Sequence, residues 1–184
     1  MLGPAQFAAF TQAIQASTAT FKVVLSEAPM EQYYILPYDR WEGYEAERDR
    51  LLQFLQANVK NVVFLSTGAR ADLFDEIRYQ TLGGPVEGSG MWEAAAGPVA
   101  AGSFAKETDR SLHRTGAGLL IGSSLFKPAP PAGVGMSCAA LDVYSYAEVT
   151  VTGTTLTVAP RDGQGQPVRE QTGVPCAPLV VQAR

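Results

Sequence analysis

The chain has 184 residues, 46% of them hydrophobic and 17% charged, with a formal net charge of −4. That length and apolar content suffice for a single domain over residues 1–184 with its own core and no need of staples. Sparse, net-acidic charge excludes the clustered basic face on which nucleic-acid binders track phosphates, and no apolar run reaches the ~18 to 20 residues of a membrane span.

The opening residues, MLGPAQFAAF, lack the charged and apolar regions of a secretory leader, so no export signal is expected. Residues 5–17 place Phe7, Phe10 and Ile14 at spacings of three and four behind Pro4, which predicts an amphipathic helix with proline in its first turn. Phe21 to Leu25 is a compact, β-branched run and predicts a buried strand that ends before Pro29. From Asp39 to Gln56 a second helix is predicted, with Tyr44, Leu51, Leu52 and Leu55 on its apolar face. Val62 to Leu65 then reads as a strand covered on both faces.

Helix, strand, helix, strand is the alternation of layered α/β folds, whose chemistry sits on loops just past the carboxyl ends of strands. The loop to inspect is therefore 66–72, Ser-Thr-Gly-Ala-Arg-Ala-Asp. Beyond it, Gly83, Gly84, Gly88, Gly90, Gly97 and Gly102 mark turns around a strand at Met91 to Ala95. Residues 105–135 carry no clear period, and Lys127 to Pro131 predicts a stiff, extended connection. Tyr146 to Thr152 and Thr155 to Ala159 form a hairpin about Gly153, Asp162 to Gly165 a turn, and Leu179 to Val181 a closing strand.

Groups able to do chemistry are few. The single histidine, His113, has no acid or cysteine at ligand spacing and reads as a surface or structural residue. Ser124 and Lys127 match S-x-x-K without its companion motifs, and Gly116, Gly118 and Gly122 miss the dinucleotide-loop spacing by one residue. Asp72, Asp75 and Glu76 form an acidic group whose simpler reading is solvated charge at a helix start. Cys138 and Cys176 lie beside strand-like runs and fit either a disulfide or two buried thiols.

Three stretches carry a resemblance. Residues 2–30 run from Leu-Gly through a helix into a Ser-x-Ala-x-x-Lys-Val strand at Ser17 to Val23. Residues 38–67 contain Asp-x-Trp-x-Gly-Tyr-x-x-x-Arg at Asp39, Trp41, Gly43, Tyr44 and Arg48. Residues 135–160, GMSCAALDVYSYAEVTVTGTTLTVAP, complete the set. Together they resemble the carboxy-terminal part of PhoD-like phosphatases, the alkaline phosphatase D family of metallophosphoesterases.

That resemblance implies an α/β fold: the C-terminal half of a metallophosphoesterase-like sandwich, ending in antiparallel strands. It also implies a hydrolase family that uses a metal centre of the iron and calcium type, with an Asp-x-His pair in the loop after the Val-Val-Phe-Leu strand. Gly68 stands at the aspartate's place and Arg70 at the histidine's. Glycine has no donor atom and guanidinium has no free lone pair, so neither replaces a carboxylate or imidazole as a ligand. The family's earlier ligands fall upstream of Met1. Exported relatives suit a Cys138–Cys176 bridge.

Two readings follow. In the first, the chain is a truncated, degenerate relative that takes no cofactor and binds a phosphate-containing ligand through Arg70, a missing N-terminal half, or itself. In the second, it is an active phosphomonoesterase or phosphodiesterase completed by another chain or by unorthodox acids such as Asp72 and Asp75.

Overall fold

A computed structural model describes residues 1–35, 39–83 and 86–184; Gly84 therefore lies outside the described residues. The elements run α1 (Pro4–Ala16), β1 (Lys22–Ser26), a 3-10 turn (Trp41–Tyr44), α2 (Glu45–Asn58), β2 (Val62–Ser66), β3 (Asp72–Gln80) and β4 (Glu87–Ala95). There follow α3 (Phe104–Leu112), α4 (Ala117–Ile121), a π turn (Gly122–Phe126), β5 (Cys138–Ala140), β6 (Ser145–Val151), β7 (Thr155–Asp162) and β8 (Leu179–Gln182).

Five strands form a mixed sheet in the order β1-β2-β4-β3-β5, and three form an antiparallel sheet in the order β6-β7-β8. β1, β2 and β4 are parallel, whereas β3 runs antiparallel to both β4 and β5. One face of the mixed sheet packs Phe64, Ile77 and Met91 against Phe7 and Ile14 of α1 and Leu51, Leu52 and Leu55 of α2. The other packs Val63, Phe74 and Ala94 against Leu156, Val158, Leu179 and Val181 of the antiparallel sheet. A third cluster seats Phe126, Val134 and Leu141 beside Leu73, under α3 and the π turn. Helices, mixed sheet and antiparallel sheet thus make three layers, because β2 is apolar on both faces and needs cover on each.

α1, β2, the β6-β7 hairpin and β8 form where the sequence predicts them. Elsewhere the structure corrects the reading. α2 begins only at Glu45, after the 3-10 turn, and Tyr44 is exposed; Arg48 takes the buried place at the head of the Leu51, Leu52, Leu55 face. β1 is an edge strand with Val23 and Leu25 exposed, since no strand of the second sheet covers it. Gly88 and Gly90 lie within β4 rather than in turns. The proline cluster folds back on itself, with the Ala132 amide donating to the Ala129 carbonyl at 3.0 Å, so it is a turn and not an extended spacer.

Asp72, Asp75 and Glu76 start a strand, not a helix, and Asp72 and Asp75 are buried. Pairing with β4 on one side and β5 on the other outweighs the i, i+3, i+4 spacing, because register with two neighbours fixes the backbone as extended.

Candidate functional site

The loop between β2 and β3 leaves the sheet at the carboxyl ends of β1, β2 and β4, where open α/β sheets present their crevices. Its backbone is tied down at both ends. The Thr67 amide donates to the Ser26 carbonyl (3.1 Å), and the Thr67 hydroxyl donates to the Glu27 carbonyl (3.3 Å). The Ala69 amide closes a three-residue turn onto the Thr67 carbonyl at 2.8 Å, with Gly68 at its centre at φ 73°. Such a turn needs a residue at ease in the left-handed region, and glycine meets that need.

Arg70 is also left-handed, at φ 58°. Its carbonyl accepts the Phe104 amide at 2.7 Å, so the loop caps the start of α3. The guanidinium is half exposed and lies 3.4 Å from a Glu107 carboxylate oxygen. Ala69 and Ala71 point inward and are buried, which alternates the loop between fixed and solvent-facing positions.

Asp72 is fully buried, and its carboxylate oxygens make no hydrogen bond of normal geometry. Burial pushes its carboxyl up to about 7; the Ser145 hydroxyl and Gly97 amide are the groups near enough to offset part of that rise. Those two engage each other, the Gly97 amide donating to Ser145 Oγ at 3.2 Å. Above them opens a cleft of about 670 Å³, lined in part by Ser26, Thr67, Arg70, Gly97 and Tyr146.

A second set of buried charges lies on the helical face of the sheet. Glu93 accepts the Met30 and Glu31 amides, at 2.9 Å each for the shorter contacts. Glu31 accepts the Gln32 amide (2.9 Å) and the Arg78 amide (2.7 Å). Burial raises Glu93 and takes Glu31 up to about 8, with Arg48 opposing the rise in each. Arg78 pairs with Asp75. These groups hold backbone, so they brace the segment after β1 and leave few free lone pairs. Sequence reasoning missed them, although a lone glutamate inside Met91 to Ala95 and an arginine at the spacing of Leu51, Leu52 and Leu55 were the available signals.

The fit of a metal centre can be judged from the donors. Among the described residues, the group of three with ligand atoms in mutual reach is Cys138, Glu170 and Cys176. It lies in the core and not at the loop, and Cys138 and Cys176 are joined as a disulfide, so neither sulfur is a thiolate. Glu170 in turn accepts Lys127 Nζ (2.8 Å) and the Ala139 amide (3.0 Å). Hard cations want several oxygen donors, carboxylates among them, from separate segments; the loop at 66–72 offers one carboxylate, the buried and unpartnered Asp72, along with the Arg70 guanidinium. The residues present do not fit an iron and calcium centre.

The remaining sequence candidates stay apart from the loop. His113 is the exposed, left-handed cap of α3. The Ser124 hydroxyl donates to the Leu120 carbonyl, while Lys127 pairs with Glu170, so the two do not form a catalytic pair. Gly118 serves packing, since a Cβ there would lie 2.4 Å from the Ala105 backbone.

The profile of the family described as PhoD-like phosphatase matches residues 1–124, well over half of the chain. The chain belongs to the PhoD-like phosphatase family. The matched part includes β1 to β4, α3 and the loop itself. The fold extends the likeness across β5 to β8: a solved structure titled "Structure of PhoD" superimposes with a TM-score of 0.61 at 18% identity, over 98% of this chain and 32% of that one. This PhoD-like chain thus spans about a third of that structure and corresponds to a partial region of it. No curated protein matches the chain. None of its described helices is long and apolar enough to cross a membrane.

Proposed function

We propose that this chain is a PhoD-like module, one domain over residues 1–184, that does not by itself carry out metal-dependent phosphoester hydrolysis. The observation that carries the reading is the chemistry of the β2–β3 loop: Gly68 and Arg70 occupy the places where the family resemblance expects an aspartate and a histidine. A metal-assisted hydrolase needs a cation to lower the pKa of a bound water and to neutralise developing phosphate charge. A guanidinium at the ligand position repels such a cation instead.

What the loop retains is suited to anions. Arg70 overlooks the 670 Å³ cleft together with the Thr67 and Tyr146 side chains, and its partner Glu107 is held no closer than 3.4 Å. A phosphate-containing ligand is the proposed occupant, since guanidinium pairs with phosphate oxygens in a fixed two-point geometry.

A second reading keeps the hydrolase and completes it from another polypeptide. It is favoured by the coverage, because two thirds of the matched PhoD structure has no counterpart in this chain. The proposal is tested by hydrolysis of bis(p-nitrophenyl) phosphate by the isolated chain supplied with iron and calcium; turnover that appears only when a polypeptide matching the remaining two thirds of the PhoD fold is added would favour the second reading. Release of nitrophenolate at the protein-free rate is the expected result, and chelator-sensitive turnover in proportion to bound metal would refute the proposal.

A further inference from the structure

Resting on that reading, we infer that the β2–β3 loop is a structural clasp whose backbone does not accept a metal-ligating side chain at position 68. The loss of the site is then built into the main chain and is not merely a matter of two side chains. A Cβ placed on Gly68 would stand 2.6 Å from the Glu27 carbonyl oxygen, closer than such atoms approach, and the neighbour is backbone that cannot swing aside. Gly68 is also at φ 73°, where any side chain is strained.

The loop cannot simply relax. Thr67 is bound to both Ser26 and Glu27 at the end of β1, and the Arg70 carbonyl holds the Phe104 amide. Loosening Gly68 therefore pulls on β1 and α3 together. The same contacts give the loop its present use, which is to lock the carboxyl end of the parallel strands to the α3 layer.

The test is the pair G68D/R70H beside G68A, read by thermal melting and by metal content after incubation with iron and calcium and desalting. The inference expects G68A to melt several degrees below the wild-type chain. It expects the double variant to melt lower still, or not to fold, and to retain no stoichiometric ion. A G68A melt equal to wild type, or a stable double variant that keeps one ion per chain while wild type keeps none, overturns the inference and leaves the proposed function standing. Stoichiometric metal on the wild-type chain would overturn the proposed function itself.

Discussion

Arg48, wholly buried in the first half of α2, donates its Nε to the Met30 carbonyl at 2.5 Å. Its two remaining nitrogens reach the Arg78 carbonyl (2.6 Å) and the Tyr79 carbonyl (3.4 Å), so one side chain ties α2 to the segment after β1 and to β3. It also stands as the cation opposite the buried Glu31 and Glu93. The arginine of the Asp-x-Trp-x-Gly-Tyr-x-x-x-Arg signature thus serves the scaffold.

Removing one partner from a buried charge network costs about 3 to 5 kcal/mol, because the charges left behind are uncompensated. Arg48→Met should therefore lower the free energy of unfolding by about that amount, measured by urea denaturation. Arg48→Lys should recover only part of the loss, since an ammonium cannot serve three separate carbonyls in the plane of a guanidinium. Wild-type stability in Arg48→Met would contradict this account of the network.

Asp72 and Glu31 make stability depend on pH in an uncommon direction. Both carboxyls are raised in the folded chain, to about 7 from 3.8 and to about 8 from 4.5. The folded state therefore holds protons that the unfolded state has released, and the stabilisation is complete below about pH 4 and lost as pH climbs through 7 to 8. Glu47 and Asp109 are lowered and act oppositely, but they lie at the surface and matter only in the acid range. The melting temperature should accordingly be higher at pH 5 than at pH 8.5. Asp72→Asn, which removes a charge with no well-formed hydrogen bonds to lose, should narrow that difference by raising the value at pH 8.5. A melting temperature that rises with pH over this range would contradict the assignment.

The Cys138–Cys176 bridge spans 38 residues and joins β5, at the edge of the mixed sheet, to the segment before β8. In the chain-entropy description, a loop of that length contributes about 4 kcal/mol by restricting the unfolded chain. Reduction with a phosphine should lower the melting temperature by roughly 10 °C for a chain of this size. Cys138→Ala/Cys176→Ala should match the reduced protein and be indifferent to reductant. A melt unaffected by reductant in the wild-type chain would count against the bridge as a stabilising element.

Strand runs with one dominant period were legible in the sequence: β2, the β6-β7 hairpin and β8 announce themselves through β-branched residues and a turn glycine. The buried polar groups were not. Glu31, Arg48, Glu93 and Asp72 are charged residues in a core, and a sequence shows charge without showing what surrounds it. Asp72, Asp75 and Glu76 misled because three acids at helical spacing look solvated until two strands are known to flank them. At the loop, residue type alone showed that Gly68 and Arg70 bring no metal donors. That a Cβ at 68 meets the Glu27 carbonyl could not be read, because that contact joins the segments that follow β1 and β2, 41 positions apart in the chain.

β1 is the exposed edge of the mixed sheet, with Leu25 79% and Val23 42% exposed. An unpaired parallel edge carrying apolar side chains is a template for further pairing. Sedimentation velocity should show concentration-dependent association, and Leu25→Lys should shift the chain toward monomer. A monodisperse monomer at high concentration would contradict this.

The β2–β3 loop offers an arginine and a glycine where a cation would need lone pairs. The metal content of the wild-type chain, after exposure to iron and calcium, desalting and elemental analysis, reads this out. No stoichiometric ion of either kind is expected. One ion retained per chain, and released when Thr67 or Asp72 is substituted, would overturn that expectation.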